Sequence, residues 1–301
     1  MILRASYWTW KVLSGEKIPD EMPTAYLMLD GKCMYNCLYC THASLSSSDN
    51  SYLSRVVWKV ISLEDLRDIN KKFKRICVQT VNYKGYKEDI LSLVKHIRSQ
   101  ENGNGILVSV STRVKDFNEI DEILNSGVDQ LGVAIDVVSE EHHKEYRSWP
   151  LSYTLSLIEY GARKYNGRIT THIIVGLGEN DKELNEMFIR MKELGVEVAL
   201  FAFTPVRGTA LENLNPPFIE RYRKIQLLRY LIFENSDIPD VEFDEKGYIK
   251  TLNYHGKDTS KAFLTSGCTH CTRPYYNDSP RNSVLYNYHS EKYLEQKVFD
   301  T

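Results

Sequence analysis

Three cysteines stand within eight residues, Cys33-Met34-Tyr35-Asn36-Cys37-Leu38-Tyr39-Cys40, a C-x3-C-x2-C run. Thiols this close cannot staple distant loops. The other three, Cys77, Cys268 and Cys271, form a singleton and a pair, unlike the even scatter of a secreted disulfide scaffold. In a reducing compartment a local thiol group of this kind holds a metal. A [4Fe–4S] cube has four irons, so three thiolates leave one iron open to bind a further molecule. A zinc tetrahedron completed by His42 uses the same thiols and leaves no position open.

The triplet, with the aromatic Tyr39 just before its last cysteine, resembles the cluster loop of the radical S-adenosylmethionine enzymes. That resemblance implies a [4Fe–4S] cluster on Cys33, Cys37 and Cys40. Its open iron chelates the amino and carboxylate groups of S-adenosylmethionine, and one electron from the cluster yields a 5′-deoxyadenosyl radical. It also implies a partial parallel barrel with the cluster loop after the first strand.

The pattern along the chain fits. Ala25 to Leu29 is a short apolar run that reads as a buried strand, and five more follow: 75–81, 106–112, 130–138, 170–175 and 196–203. Helical stripes lie between them, including Ile90, Leu93, Val94 and Ile97, and a segment in which Ser62 and Asp65 read as the cap before Leu66, Ile69 and Phe73. The expected fold is an α/β partial (β/α)6 barrel over 25–234, preceded by a segment 1–24. A loop-rich extension over 235–301 follows, with short strands near 241–243 and 247–249. In such barrels ligands bind at the carboxyl ends of strands, which is where the triplet falls.

Three further stretches bear on the nucleoside. Gly176-Leu177-Gly178-Glu179 follows the fifth strand, where glycines let a flat ligand approach the backbone; Glu179 also suits a helix start. The resemblance implies that Gly176, Gly178 and Glu179 flank S-adenosylmethionine. Asp136 ends the fourth strand in Ile135-Asp136-Val137-Val138-Ser139-Glu140, similar to a biotin-synthase pattern whose aspartate holds the ribose. Val206, in Pro205-Val206-Arg207-Gly208-Thr209, is similar to a segment of the biotin and thiamin synthase branch and would pack on the adenine.

The remaining cysteines discriminate between branches. Cys77 lies in the second strand, where biotin synthase has a ligand of its sulfur-donating cluster, but that enzyme's other cluster cysteines have no counterpart at Ser109 or Thr170-Thr171. Instead the tail carries Cys268-Thr269-His270-Cys271, a C-x2-C pair suited to a metal. With the tail over the barrel mouth, Cys77, Cys268 and Cys271 would form a second three-thiolate site, an auxiliary [4Fe–4S] cluster. Ser283 is the first candidate for a fourth ligand, by its similarity to a serine near the end of lipoyl synthase.

Taken together the chain resembles the archaeal two-protein lipoyl synthases. The resemblance implies sulfur insertion into a protein-bound octanoyl-lysine. The partners it implies are a second homologous protein, an octanoylated lipoyl domain or glycine-cleavage carrier protein, and a low-potential electron donor. Biotin synthase, or a zinc-binding module that catalyses nothing, are the alternatives.

Homolytic hydrogen abstraction needs no general base, and the eight histidines are scattered, with His142-His143 reading as part of a solvated helix face. Charge speaks against nucleic acid: 38 basic side chains face 40 acidic ones, and the basic spot Lys71, Lys72, Lys74 and Arg75 reads as a solvated helix end. No apolar run suits a bilayer, so no membrane partner is expected, and neither a signal peptide nor a span argues against a cytoplasmic protein.

Overall fold

The computed structural model describes residues 1–100, 105–234, 238–254 and 258–294. It opens with strand β1 (Ile2–Ser6) and helix α1 (Tyr7–Leu13), whose first turn is capped by the Ser6 hydroxyl accepting from Thr9 N. Strand β2 (Thr24–Asp30) is buried along its whole length, as expected of a strand covered on both faces. A hairpin of β3 (Tyr52–Leu53) and β4 (Val56–Ile61) follows, then the single-turn helix α2 (Ile69–Lys72).

The helix expected after Ser62 is broken. Asp65 accepts from both Ser62 N and Ser62 Oγ and closes only a 3-10 turn at Glu64–Leu66. Asp68 then takes a left-handed conformation, φ 58°, which interrupts the helical path before α2.

From there strands and helices alternate: β5 (Arg75–Thr80), α3 (Tyr86–Arg98), β6 (Leu107–Thr112), α4 (Phe117–Asn125) and β7 (Gln130–Val133). Next come α5 (Glu140–Arg147), α6 (Leu151–Lys164), β8 (Ile169–Val175), α7 (Asp181–Glu193), β9 (Glu197–Ala202) and α8 (Ile219–Glu234). Caps punctuate the pattern: Asp116 accepts from Glu119 N at α4, and Asn180 with Glu183 forms a capping box at α7.

The six expected strands are β2 and β5 to β9, and they pair in parallel in chain order into a curled sheet. Their side chains meet the helices in one apolar core that includes Leu27, Ile76, Val108, Leu131, Ile173 and Leu200. The fold is the α/β partial barrel anticipated above. Three strands were not anticipated: β1 runs antiparallel beside β2, and β4 and β3 extend the sheet beyond it. The run expected over 130–138 also ends early, because Asp136 adopts φ 56° and rejoins the sheet only through a bridge to Ile173.

After α8 the hairpin of β10 (Asp240–Phe243) and β11 (Ile249–Asn253) docks on the start of α7, where Asp181 accepts from Ile249 N and Gly247 O accepts from Lys182 N. The rest of the extension, to residue 294, is held by loops and two 3-10 turns. Its end, from 295, lies outside the described residues.

Two readings of surface residues are corrected. Arg75 is buried at 3% exposure, its guanidinium donating to Thr269 O and to Ser109 Oγ, and so belongs to the interior. His143 is fully buried, its ring bonded to Trp149 O at 3.0 Å, because α5 turns this side inward against α6.

Candidate active site

The loop after β2 presents Cys33, Cys37 and Cys40 to one cavity of about 240 Å³ at the carboxyl ends of the parallel strands. Backbone hydrogen bonds fix the loop's course: Cys40 N donates to Cys37 O, Met34 N to Asn82 O beyond β5, and Leu38 N to Tyr146 O on α5. Burial pushes the Cys33 thiol up and drives Cys40 up to about 12. Among the described residues, no three His, Cys, Asp or Glu side chains converge on a single metal ion. His42, the expected fourth partner of a zinc site, has its Nδ1 3.5 Å from Asp30 Oδ1.

Tyr39, between the second and third cysteines, donates to Asp136 Oδ2 at 2.6 Å. The same carboxylate meets Arg147 Nη1 at 2.8 Å and His172 Nε2 at 2.9 Å. Burial alone would raise this carboxyl; Arg147 first, then His172 and Tyr39, hold it well below the usual carboxylate range. The left-handed backbone at Asp136 thus aims a charged group into the cavity and ties the cluster loop to β8 and α5. Val206 lines the same cavity.

Gly176, Gly178 and Glu179 do not line it. Glu179 is buried and accepts from Gly176 N at 2.8 Å, Leu177 N at 2.9 Å and Arg221 Nη2 at 3.0 Å, so its carboxylate buckles its own loop. Gly178 has φ 97°, and a Cβ there would lie 2.7 Å from the His142 ring. These residues shape the wall from behind.

The second thiol group is reached from the opposite end of the strands, with Cys77 midway along β5. Residues 266–273 dock against the strands: at the starts of β2 and β5 Thr24 Oγ1 donates to His270 O at 2.6 Å and Arg75 Nε to Thr269 O at 2.9 Å, and within β9 Leu200 N donates to Ser266 Oγ at 2.9 Å. The Tyr26 hydroxyl accepts from Thr272 N and Arg273 N, 2.8 Å each, and donates to Cys271 Sγ at 3.8 Å. Burial first, then the neighbouring Cys271 and Cys268, push the Cys77 thiol up to about 12, and Gln79 Nε2 donates to its sulfur at 3.3 Å. The tail therefore brings Cys268 and Cys271 to Cys77, but from the amino end of the barrel rather than over its mouth.

Ser283 is exposed, which does not suit a ligand of this buried group. The buried hydroxyls beside it are Ser109, which accepts from Arg75, and Thr170, 4.0 Å from Cys268 Sγ. Tyr276 carries the tail onward to the cavity lining; its ring meets Phe201 and Trp58 edge-on, and its hydroxyl has no partner among the described residues.

Sequence reasoning missed Arg113, Arg147 and His172. A histidine inside the otherwise apolar and hydroxylated run Ile169-Thr170-Thr171-His172-Ile173-Ile174-Val175 was the one visible signal, since a buried strand keeps a charged or basic residue only for a partner.

The sequence model of the radical SAM superfamily matches residues 30–191, more than half of the chain and the stretch that runs from the triplet through β8. The protein belongs to the radical SAM superfamily. Solved structures agree in fold. HydG, a maturase of the [FeFe]-hydrogenase, superposes with a TM-score of 0.57 at 14% identity over 70% of this chain and 50% of its own. Methylornithine synthase (PylB) gives 0.50 at 16% identity, over 67% and 59%. A radical SAM methyltransferase from Sphaerobacter thermophilus gives 0.52 at 13%, over 78% and 72%. The chain thus spans about half the length of HydG. No curated protein matches it.

Membership in this superfamily implies an enzyme with a [4Fe–4S] cluster and S-adenosylmethionine. The residues fit both: three thiols on one loop leave an iron open, and they face a cavity large enough for a nucleoside and lined with cationic and carboxylate groups. No helix among the described residues is long and apolar enough to cross a membrane.

Proposed function

We propose that this radical SAM enzyme inserts sulfur into a protein-bound octanoyl-lysine as one subunit of a two-protein lipoyl synthase. The observation that carries the reading is the assembly of Cys77, Cys268 and Cys271 inside the barrel, where Gln79 of the triplet's cavity donates to Cys77 Sγ and the tail enters from the end opposite the triplet. Cys33, Cys37 and Cys40 would hold the first cluster, and the second group would hold an auxiliary one. When bound, the first cluster with S-adenosylmethionine supplies a carbon radical that abstracts hydrogen, and the second supplies sulfide.

The chain's own contribution is placement. Tyr39, Asp136, Arg147 and His172 hold the cluster loop on the barrel. Tyr276 stands where the cavity meets the tail and would border the alkyl chain. No residue is assigned to proton abstraction, in keeping with a homolytic step. The implied partners are a second homologous subunit, an octanoylated lipoyl domain or glycine-cleavage carrier protein, and a low-potential electron donor.

The test is iron and acid-labile sulfide per chain after anaerobic reconstitution, for wild type and a Cys33/Cys37/Cys40→Ala variant, followed by assay on an octanoyl-lysine peptide. About eight irons falling to about four, as two cubes require, with sulfur gained by the peptide, supports the reading. About four falling to none overturns it, as does turnover of dethiobiotin in place of the peptide.

A further inference from the structure

Arg113 stands just beyond β6 at the edge of the triplet. Its guanidinium carbon lies 4.0 Å from the centre of the Tyr35 ring and 3.8 Å from that of Trp149, wedged between the two. Its Nη2 donates to Arg147 O at 2.7 Å and its Nη1 to Cys37 Sγ at 3.5 Å. Nε is buried and has no partner among the described residues.

What is missing is a counter-charge. Among the described residues Arg113 forms no ion pair; the Asp136 carboxylate is taken by the neighbouring Arg147. Glu119, nearby in sequence, accepts instead from Tyr86 and from Lys115 N. A guanidinium stays charged in any protein, so a buried one beside a second guanidinium is costly until an anion arrives. The two rings and the Arg147 carbonyl leave Nη1 directed at a cluster cysteine.

We propose that Arg113 is the built-in counter-charge of the S-adenosylmethionine cluster, donating to the Cys37 thiolate and making one-electron reduction of that cluster easier. Reduction adds one electron from an external low-potential donor and makes the cluster more negative by one unit. No proton moves, because the guanidinium is charged before and after. A fixed positive charge and an N–H donated to a cluster sulfur both favour the more negative state, hence a higher midpoint potential. The aromatic wedge denies the side chain its solvated rotamers, so the charge stays in place as the cluster cycles.

The experiment is an EPR-monitored redox titration of the reconstituted full chain, reading the signal that changes on addition of S-adenosylmethionine. Arg113→Gln shifts that midpoint to more negative potential at unchanged iron content. Arg113→Lys, which keeps the charge but loses the fork, falls between glutamine and wild type. A glutamine midpoint equal to or above wild type overturns the proposal, as does a lysine midpoint below that of glutamine. A second measurement does not depend on the glutamine variant: in wild type grown on ¹⁵N-arginine, pulsed EPR of the reduced cluster shows an arginine nitrogen coupling. Its absence overturns the proposal even where Arg113→Gln holds no iron, and its loss in Arg113→Lys, with Arg147 unchanged, assigns the coupling to Arg113.

Discussion

The two cysteine groups enter one barrel from opposite ends and are built in opposite ways. The triplet comes from a single loop after β2, and its three thiols are set by contacts within that loop and to residues just beyond the neighbouring strands. The second group joins Cys77 of β5 to Cys268 and Cys271, nearly two hundred residues later, through a tail pinned to the starts of β2 and β5 and to the middle of β9. The first is a local motif presented by the fold. The second exists only once the barrel has formed and the tail has docked on it, so it carries the loop-closure cost of the chain between. The first end carries the chemistry shared across the superfamily; the second is the one on which the proposed sulfur insertion rests.

The largest expected effect separates the two ends outright. Cys33/Cys37/Cys40→Ala abolishes 5′-deoxyadenosine formation from S-adenosylmethionine, whereas Cys77→Ala leaves that cleavage at a similar rate and abolishes sulfur insertion. Both are read by chromatography of the same reaction mixture. Loss of cleavage in Cys77→Ala would break the comparison, because the two ends would then be one site.

Next in size is Tyr26→Phe. The hydroxyl lost accepts from the N–H groups of Thr272 and Arg273 and donates to Cys271. An unpaired buried N–H costs about 1–3 kcal/mol, so the tail's docking weakens by an amount of that order. With the auxiliary cluster proposed above, iron retained after mild chelation falls from about eight toward about four per chain, the remaining four staying on the triplet. A variant that loses iron equally from both ends would show that the tail supports the whole barrel.

The same contrast explains what could be read without coordinates. Six parallel strands and the triplet depend on short-range patterning, and Ala25 to Leu29 ahead of Cys33 carried both. The association of Cys77 with the tail pair was legible because no other thiols were unused. The end of the barrel at which they meet was not, since the anchors Thr24, Tyr26 and Arg75 look like ordinary strand residues, or in the case of Arg75 like a basic helix end. Ser283 was chosen by a short resemblance, which cannot show that its loop is exposed. Glu179 and the two glycines read as ligand contacts because a turn that packs on protein and a turn that packs on a nucleoside need the same residues.

The smallest expected effect is a pH dependence that resolves the two regions from each other. His143, under the triplet's side of the barrel, is pushed down to about 4 by burial and by Arg147. His289, in the tail, is pushed down to about 4 by burial, with its Nε2 3.0 Å from Asp20 of the amino-terminal segment. Both imidazoles are therefore neutral in the fold where an unfolded histidine, near 6.5, takes up a proton. The unfolded state binds more protons between these values, so stability is full above about pH 6.5 and is lost as pH falls toward 4. Denaturant midpoints across that range should fall in wild type. His143→Gln should remove the part of the slope that reports on α5, and His289→Gln the part that reports on the tail, resolved by hydrogen exchange of the two segments. If either substitution alone flattens the whole curve, the barrel and its tail unfold as one unit, and the second thiol group forms in the same cooperative step as the first.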